Sequence, residues 1–187
     1  MNLHDTTDRC ERYRRFFTKE YLMGPNSFRL LDELLRRAPA DARFDRTLDL
    51  GCGFGVMGIC LAATEKVEMV MSDVNRRALD LARENAEKNH VQAEIVESDG
   101  LSALNGSFCQ IITNPPIRTG KQVIYALFAQ CRDHLTPDGK LYLVIRKQQG
   151  ADSAKAYLAT LFENVETIAR KKGFYIFCCS GPLPAGA

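Results

Sequence analysis

The sequence predicts an α/β protein: one mostly parallel sheet with helices on both faces, closed by an antiparallel hairpin at its C-terminal end. Three observations predict it. From Arg46 onward, short apolar runs of strand length alternate with longer runs of helical period. The last two strand-like runs, 164–170 and 173–179, are joined by Lys171 and Lys172 alone. So short a join makes them antiparallel, because a parallel pair needs a long crossover. The length of 187 residues suits a single domain with one sizeable sheet.

The elements follow in order. Residues 1–20 are polar, with Arg9, Arg12, Arg14, Arg15 and Lys19 set among acids and aromatics. Asn26 caps an amphipathic helix whose apolar face is Phe28, Leu30, Leu31, Leu34 and Leu35, and which Pro39 ends. A first strand covers 47–50. A glycine-rich turn and a helix to about Glu65 follow. Residues 67–72 are a second strand. Residues 75–89 are a helix with Ala78, Leu79, Leu81, Ala82 and Ala86 on its apolar face. Strands at 92–97 and 109–113 come next, then a helix at 122–135 closed by Pro137-Asp138-Gly139. A fifth strand at 140–145 and a helix at 153–161 precede the hairpin.

Composition excludes several classes. With 45% hydrophobic residues the chain is not disordered. Lys plus Arg is 25 against 23 Asp plus Glu, a net charge of +2. That excludes a strongly basic RNA-coating protein, though not a local basic patch. No run approaches the ~18 apolar residues of a membrane span, and 1–20 has no apolar core of a secretory signal. The seven cysteines are odd in number, and no CxxC pair exists. A reduced, cytoplasmic protein without a disulfide framework or metal site is therefore expected.

Three constellations carry chemistry. The first is Gly51-Cys52-Gly53-Phe54-Gly55, between a strand and a helix, where small residues let the backbone approach a ligand. Asp73 closes the second strand 24 residues after Asp49, where an acid accepts from both hydroxyls of a ribose. Together they indicate a nucleoside-containing cofactor. A dinucleotide fingerprint needs Gly or Ala at position 56, which is Val. Asp49 ahead of the turn suits an aminoacyl ammonium better than a phosphate. S-adenosylmethionine therefore fits better than NAD.

The second constellation is Asp99-Gly100 after the third strand, placed to accept from an adenine amine and to read the ring edge. The third is Asn114-Pro115-Pro116-Ile117 after the fourth. The prolines remove two backbone donors and stiffen the turn. The acceptors left, Asn114 Oδ1 and the Pro115 carbonyl, suit an NH2 group whose hydrogens they draw aside.

These motifs together resemble class I S-adenosylmethionine-dependent methyltransferases acting on amino nitrogens. Three further stretches, 112–121, 144–151 and 172–175, resemble the small-domain relatives of the 16S rRNA guanine-N2 methyltransferase of the RsmC type. The resemblance covers about Arg46 to Ser180. It implies a Rossmann-like, seven-stranded sheet, an N2-methylated guanine as product, and ribosomal RNA or the small ribosomal subunit as partner. It divides the chain into an N-terminal cap, 1–45, and a methyltransferase domain, 46–187.

On this reading Asp49, Gly51, Gly53 and Gly55 shape the methionine end of the cofactor site. Asp73 binds the ribose, Val74 packs on a ring, and Asp99 and Gly100 hold adenine. Asn114, Pro115 and Pro116 are catalytic, with Asn114 also against the cofactor. Ile117, Arg118, Lys121 and Lys147 face the substrate, and Arg146 joins them on the basic rim. Two departures stand out. Ile117 replaces the aromatic that many amino methyltransferases carry there, and the run 21–26 resembles openings of methyltransferases with small-molecule substrates. Two other readings stay open: methylation of a small-molecule or protein amine or amide, and a non-catalytic cofactor-binding interaction protein. The intact Asn-Pro-Pro turn speaks against the latter.

Overall fold

The computed structural model describes residues 30, 44–65, 67–116, 120–171 and 173–185. Seven strands form one sheet: β1 (Phe44–Leu50), β2 (Val67–Asp73), β3 (Glu94–Glu97), β4 (Phe108–Thr113), β5 (Leu135–Arg146), β6 (Phe162–Lys171) and β7 (Phe174–Pro182). Their spatial order is β3-β2-β1-β4-β5-β7-β6. β1 to β5 pair in parallel, and β7 lies antiparallel between β5 and β6. Helices with described bounds are α1 (Val56–Thr64), α2 (Arg76–Lys88), α3 (Lys121–Asp133) and α4 (Ala151–Leu158), with a 3-10 turn at Lys147–Gln149; Leu30 is also helical. The expected mostly parallel sheet with its C-terminal hairpin is the fold observed.

Local sequence explains the elements. The side chain of Asn75 accepts from the amides of Arg77 and Ala78 and caps α2. α2 then buries Leu79, Ala82 and Ala86, spaced along one helical face. Successive strand residues point to opposite faces, so each inner strand feeds two cores. One core holds Leu48, Leu50, Phe108, Ile111, Leu141, Leu143 and Phe177 under α3 and α4. The other holds Met69, Met71, Ile112, Val144 and Ile176 under α1 and α2. Leu30, on the expected apolar face of the N-terminal helix, is fully buried in this second core. The rest of the expected 1–45 cap, apart from strand residues Phe44 and Asp45, lies outside the described residues.

Several boundaries differ by a few residues from expectation, and strand pairing explains two of them. β5 begins at Leu135, not near 140. Leu135 pairs with Phe108 and Lys140 with Gln110, so the Pro137-Asp138-Gly139 segment bulges out of the ladder between them. Pro137 has no N–H for a regular ladder, and the strand resumes beyond it. β3 is shorter than 92–97 because it is an edge strand paired with β2 only from Glu94.

β1 runs beside β4, but the chain visits β2 and β3 before reaching β4. The order therefore reverses between β1 and β4, the point in such sheets where ligands bind outside the carboxyl ends of the strands. Leu30→Ala should lower stability by about 2–5 kcal/mol, the usual cost of emptying a buried leucine site. Urea unfolding checks this, and a loss below about 0.5 kcal/mol would place Leu30 outside the core.

Candidate cofactor and acceptor site

A cavity of about 460 Å³ opens at the carboxyl ends of β1, β2 and β4. Leu50, Gly51, Ser72, Asp73, Val74, Asp99, Gly100 and Asn114 line one side. α3 supplies the opposite wall through Val123, Ile124, Ala126, Leu127 and Gln130.

The glycine turn is fastened to the end of β2. The amides of Gly51 and Cys52 both donate to the Ser72 carbonyl at 2.9 Å. The Gly53 amide donates to Asp73 Oδ2 at 2.9 Å, and the Asn75 amide to Asp73 Oδ1 at 2.8 Å. Asp73 is thus held from both sides at the cavity wall. Each of its oxygens keeps a second lone pair, enough for two ribose hydroxyls. The amides of Gly51, Cys52 and Gly53 are thus all turned onto the end of β2. A Cβ on Gly51, whose φ is +69°, would meet nothing within 4 Å, so the backbone there lies open to a ligand.

The other glycines of the turn do different work. Gly53 and Gly55 do not line the cavity. Gly55 caps α1 with φ +86°, and a Cβ there would sit 2.9 Å from Ile59 Cδ1 and 3.3 Å from Ala82 Cβ. Its part is close packing between α1 and α2.

Asp49 departs from expectation. It was expected to face a ligand ammonium, but it is fully buried and is not on the cavity wall. It points into the second core, where Oδ2 accepts from the Gly58 amide at 2.8 Å and Oδ1 has no partner. The pleat decides this: Leu48 and Leu50 face the α3 side of the sheet, so Asp49 faces α1. Burial pushes its carboxyl up to about 7, against the lowering effect of the Gly58 amide, and the charge of Asp73 adds to the rise.

Val74 stands 67% exposed at the cavity rim, an apolar surface available to a flat ring. Asp99 is exposed at the cavity mouth, and the Leu101 amide two residues on donates to Gln130 Oε1 at 2.9 Å. Gln130 therefore fixes the Asp99-Gly100 turn from α3. Sequence reasoning missed it, together with the whole α3 wall. Nothing in a helical run indicates which of its faces meets a loop from another part of the chain.

β4 delivers the acceptor side. Thr113 Oγ1 donates to the Leu50 carbonyl at 2.8 Å in a buried bond, tying the ends of β4 and β1 together. Asn114 and Pro116 then face the cavity, while the Pro115 ring is buried. Ile117 and Arg118 lie outside the described residues. Lys121 at the start of α3 and Lys147 after β5 are exposed, at the same end of the sheet. Burial pushes the thiols of Cys52, Cys60, Cys131 and Cys179 far up, so they stay protonated and serve as core rather than as nucleophiles.

Comparison with known proteins defines the class. The Methyltransferase small domain family matches residues 27–178, and the chain belongs to that family of S-adenosylmethionine-dependent methyltransferases. The chain is 45% identical over 133 residues to YbxB of Bacillus subtilis, covering 69% of this chain and 66% of that protein. It is 37% identical over 141 residues to the Ribosomal RNA small subunit methyltransferase C of Pseudoalteromonas atlantica, covering 72% of this chain and 40% of that protein. Among solved structures it is similar to the T. thermophilus 16S rRNA N2 G1207 methyltransferase (RsmC) in complex with AdoMet and guanosine. The TM-score is 0.77 at 25% identity, over 87% of this chain and 44% of that one. The chain thus spans two-fifths of the length of this RsmC relative and about two-thirds of YbxB.

The residues present fit S-adenosylmethionine. Asp73 and Asp99 offer carboxylate acceptors of the kind a ribose and an adenine amine would need, Val74 offers an apolar face, and the open backbone at Gly51 would leave room for the methionine end. No helix among the described residues is long and apolar enough to cross a membrane.

Asp73→Ala should weaken S-adenosylhomocysteine binding by about 1–3 kcal/mol, roughly 5- to 150-fold by calorimetry. Unchanged affinity would remove Asp73 from the site. Asp49 makes a second prediction. Its native carboxyl holds a proton that the unfolded chain, with a carboxyl near about 4, gives up. Its contribution to stability is complete below about pH 4 and is lost as pH rises through about 7. Asp49→Asn should therefore gain stability relative to wild type across that window, measured by denaturant unfolding at a series of pH values. A pH-independent difference would contradict the raised carboxyl.

Proposed function

We propose that this chain transfers the methyl group of S-adenosylmethionine to the exocyclic N2 amine of a guanine in ribosomal RNA. The observation that carries the reading is Asn114, fixed at the end of β4 on the wall of the same cavity that holds Asp73 and Asp99. Amine methylation of this kind needs the acceptor nitrogen held beside the cofactor, and Asn114 with the Pro115 carbonyl is the acceptor pair proposed to hold it. The RsmC relatives, named for ribosomal RNA methylation, and the RsmC complex with guanosine support guanine and RNA.

The guanine N2 lone pair is conjugated into the ring and is a weak nucleophile. Hydrogen bonds from its two N–H groups to Asn114 Oδ1 and the Pro115 carbonyl draw the hydrogens out of the ring plane and aim the lone pair. Those bonds strengthen as positive charge develops on nitrogen, so they stabilise the transition state more than the ground state. When bound, S-adenosylmethionine supplies a methyl carbon already activated by its sulfonium. A nitrogen–carbon bond forms as the carbon–sulfur bond breaks, a neutral thioether leaves, and the methylated nitrogen gives its acidic proton to water. Positioning supplies most of the rate, so no strong base is needed. Lys121 and Lys147 make up the substrate side of the proposed site, and a paired guanine must leave its stack to enter.

The test is transfer of tritiated methyl from S-adenosylmethionine to stripped small ribosomal subunits, naked 16S rRNA and a metabolite extract in parallel. Label recovered as N2-methylguanosine in either RNA sample is the expected result. Label confined to the extract would overturn the RNA reading in favour of a small-molecule amine. Asn114→Ala should lower turnover by about 10²-fold or more, the scale for one preorganised hydrogen bond at a reacting centre. S-adenosylhomocysteine affinity should stay within a few fold. Lost affinity with intact turnover would remove Asn114 from the acceptor role.

A further inference from the structure

Charged groups of both signs stand around the cavity rim, with Arg76 paired to Glu97 on the β2–β3 side. Asp73, Glu97 and Asp99 stand at the ends of β2 and β3. On the other side of the β1/β4 reversal, β5 ends in Arg146 and Lys147. β7 pairs antiparallel with β5 so that Arg146 lies opposite Phe174. This register brings the turn of the β6–β7 hairpin to the same end of the sheet as Asn114, and Arg170 lies opposite Tyr175 beside that turn. Lys171 and Lys172 follow in the sequence.

Both arginines stack on aromatic rings, as Arg46 does on Phe108. The Arg146 guanidinium lies 4.8 Å over the Phe174 ring, and that of Arg170 lies 4.9 Å over the Tyr175 ring. Phe174 packs in the α1/α2 core and Tyr175 against the α3/α4 core. The guanidiniums therefore stand on opposite faces of the hairpin end, and Arg170 is on the face that bears the cavity. Arg46, Arg76, Arg83 and Arg132 each contact a carboxylate. Among the described residues Arg146, Lys147 and Arg170 make no ion pair. A guanidinium held over a ring is partly oriented in advance and keeps N–H donors for an oxyanion.

We infer that the end of the β6–β7 hairpin, with Arg170 and Arg146 on its two faces, clamps phosphodiesters of the RNA strand whose base enters the cavity. This rests on the proposed RNA reading and adds the surface that holds the strand. β5 is the strand next to β4, so Arg146 is about 5 Å sideways from the line of β4 and its Asn114. Asp73 and Asp99 in the cavity wall would repel phosphate there, whereas Arg146, Lys147 and Arg170 on the β5–β7 side would attract it.

The test is the salt dependence of binding to a 16S rRNA fragment in the presence of S-adenosylhomocysteine. The Arg146→Gln/Arg170→Gln double variant should bind with a log–log salt slope shallower by about 1.4–1.8, two phosphate contacts at ~0.7–0.9 each. Its S-adenosylhomocysteine affinity should match wild type, which excludes misfolding. The Arg146→Lys/Arg170→Lys variant should keep the wild-type slope, whereas a merely structural stacking role would be lost in both variants. An unchanged slope in the glutamine variant, or no salt-dependent RNA binding by wild type, overturns the inference. If the slope shifts as expected while wild type methylates no RNA, the clamp stands and the proposed reaction fails instead.

Discussion

Three consecutive backbone amides, those of Gly51, Cys52 and Gly53, are turned onto the end of β2. The rest of the site depends on that fastening. It folds the β1–α1 turn flat against the next strand, fixes the Asp73 carboxylate at the cavity wall, and leaves the Gly51 backbone facing open space. The preference for an adenosyl cofactor over a dinucleotide rests on Val56, where a dinucleotide fingerprint has Gly or Ala.

The sheet distributes labour along its edge. β1 to β3 bring the groups suited to the adenosyl end, β4 brings Asn114, and on the proposed reading β5 to β7 bring the cations for RNA. The bond from Thr113 to the Leu50 carbonyl joins the first two groups at the point where strand order reverses. A net charge of +2 does not show where Arg146, Lys147 and Arg170 stand. Whole-chain charge is an average, and recognition depends on where the charges stand.

Much of this was legible in the sequence where it rested on local spacing. The glycine turn, Asp73 at the end of β2, the Asn-Pro-Pro turn after β4 and the tight final hairpin each depend on a few neighbouring residues. The structure brings Gly51, Asp73, Val74, Asp99, Gly100, Asn114 and Pro116 to one cavity. What escaped depends on orientation or on distant partners. Asp49 sits one residue from the turn, yet strand alternation sends it into the core. Gln130 gains its role only when α3 packs against the loop after β3. The start of β5 was misplaced because the Pro137 bulge reads as an interruption, whereas pairing with Phe108 begins before it.

The central claim is that the site accepts an adenosyl cofactor and rejects a dinucleotide. Calorimetric titration of the purified chain with S-adenosylhomocysteine and, separately, with NAD tests it most directly. The account predicts saturable binding of S-adenosylhomocysteine and no heat of binding with NAD. Binding of NAD, or no binding of S-adenosylhomocysteine at millimolar ligand, would contradict it.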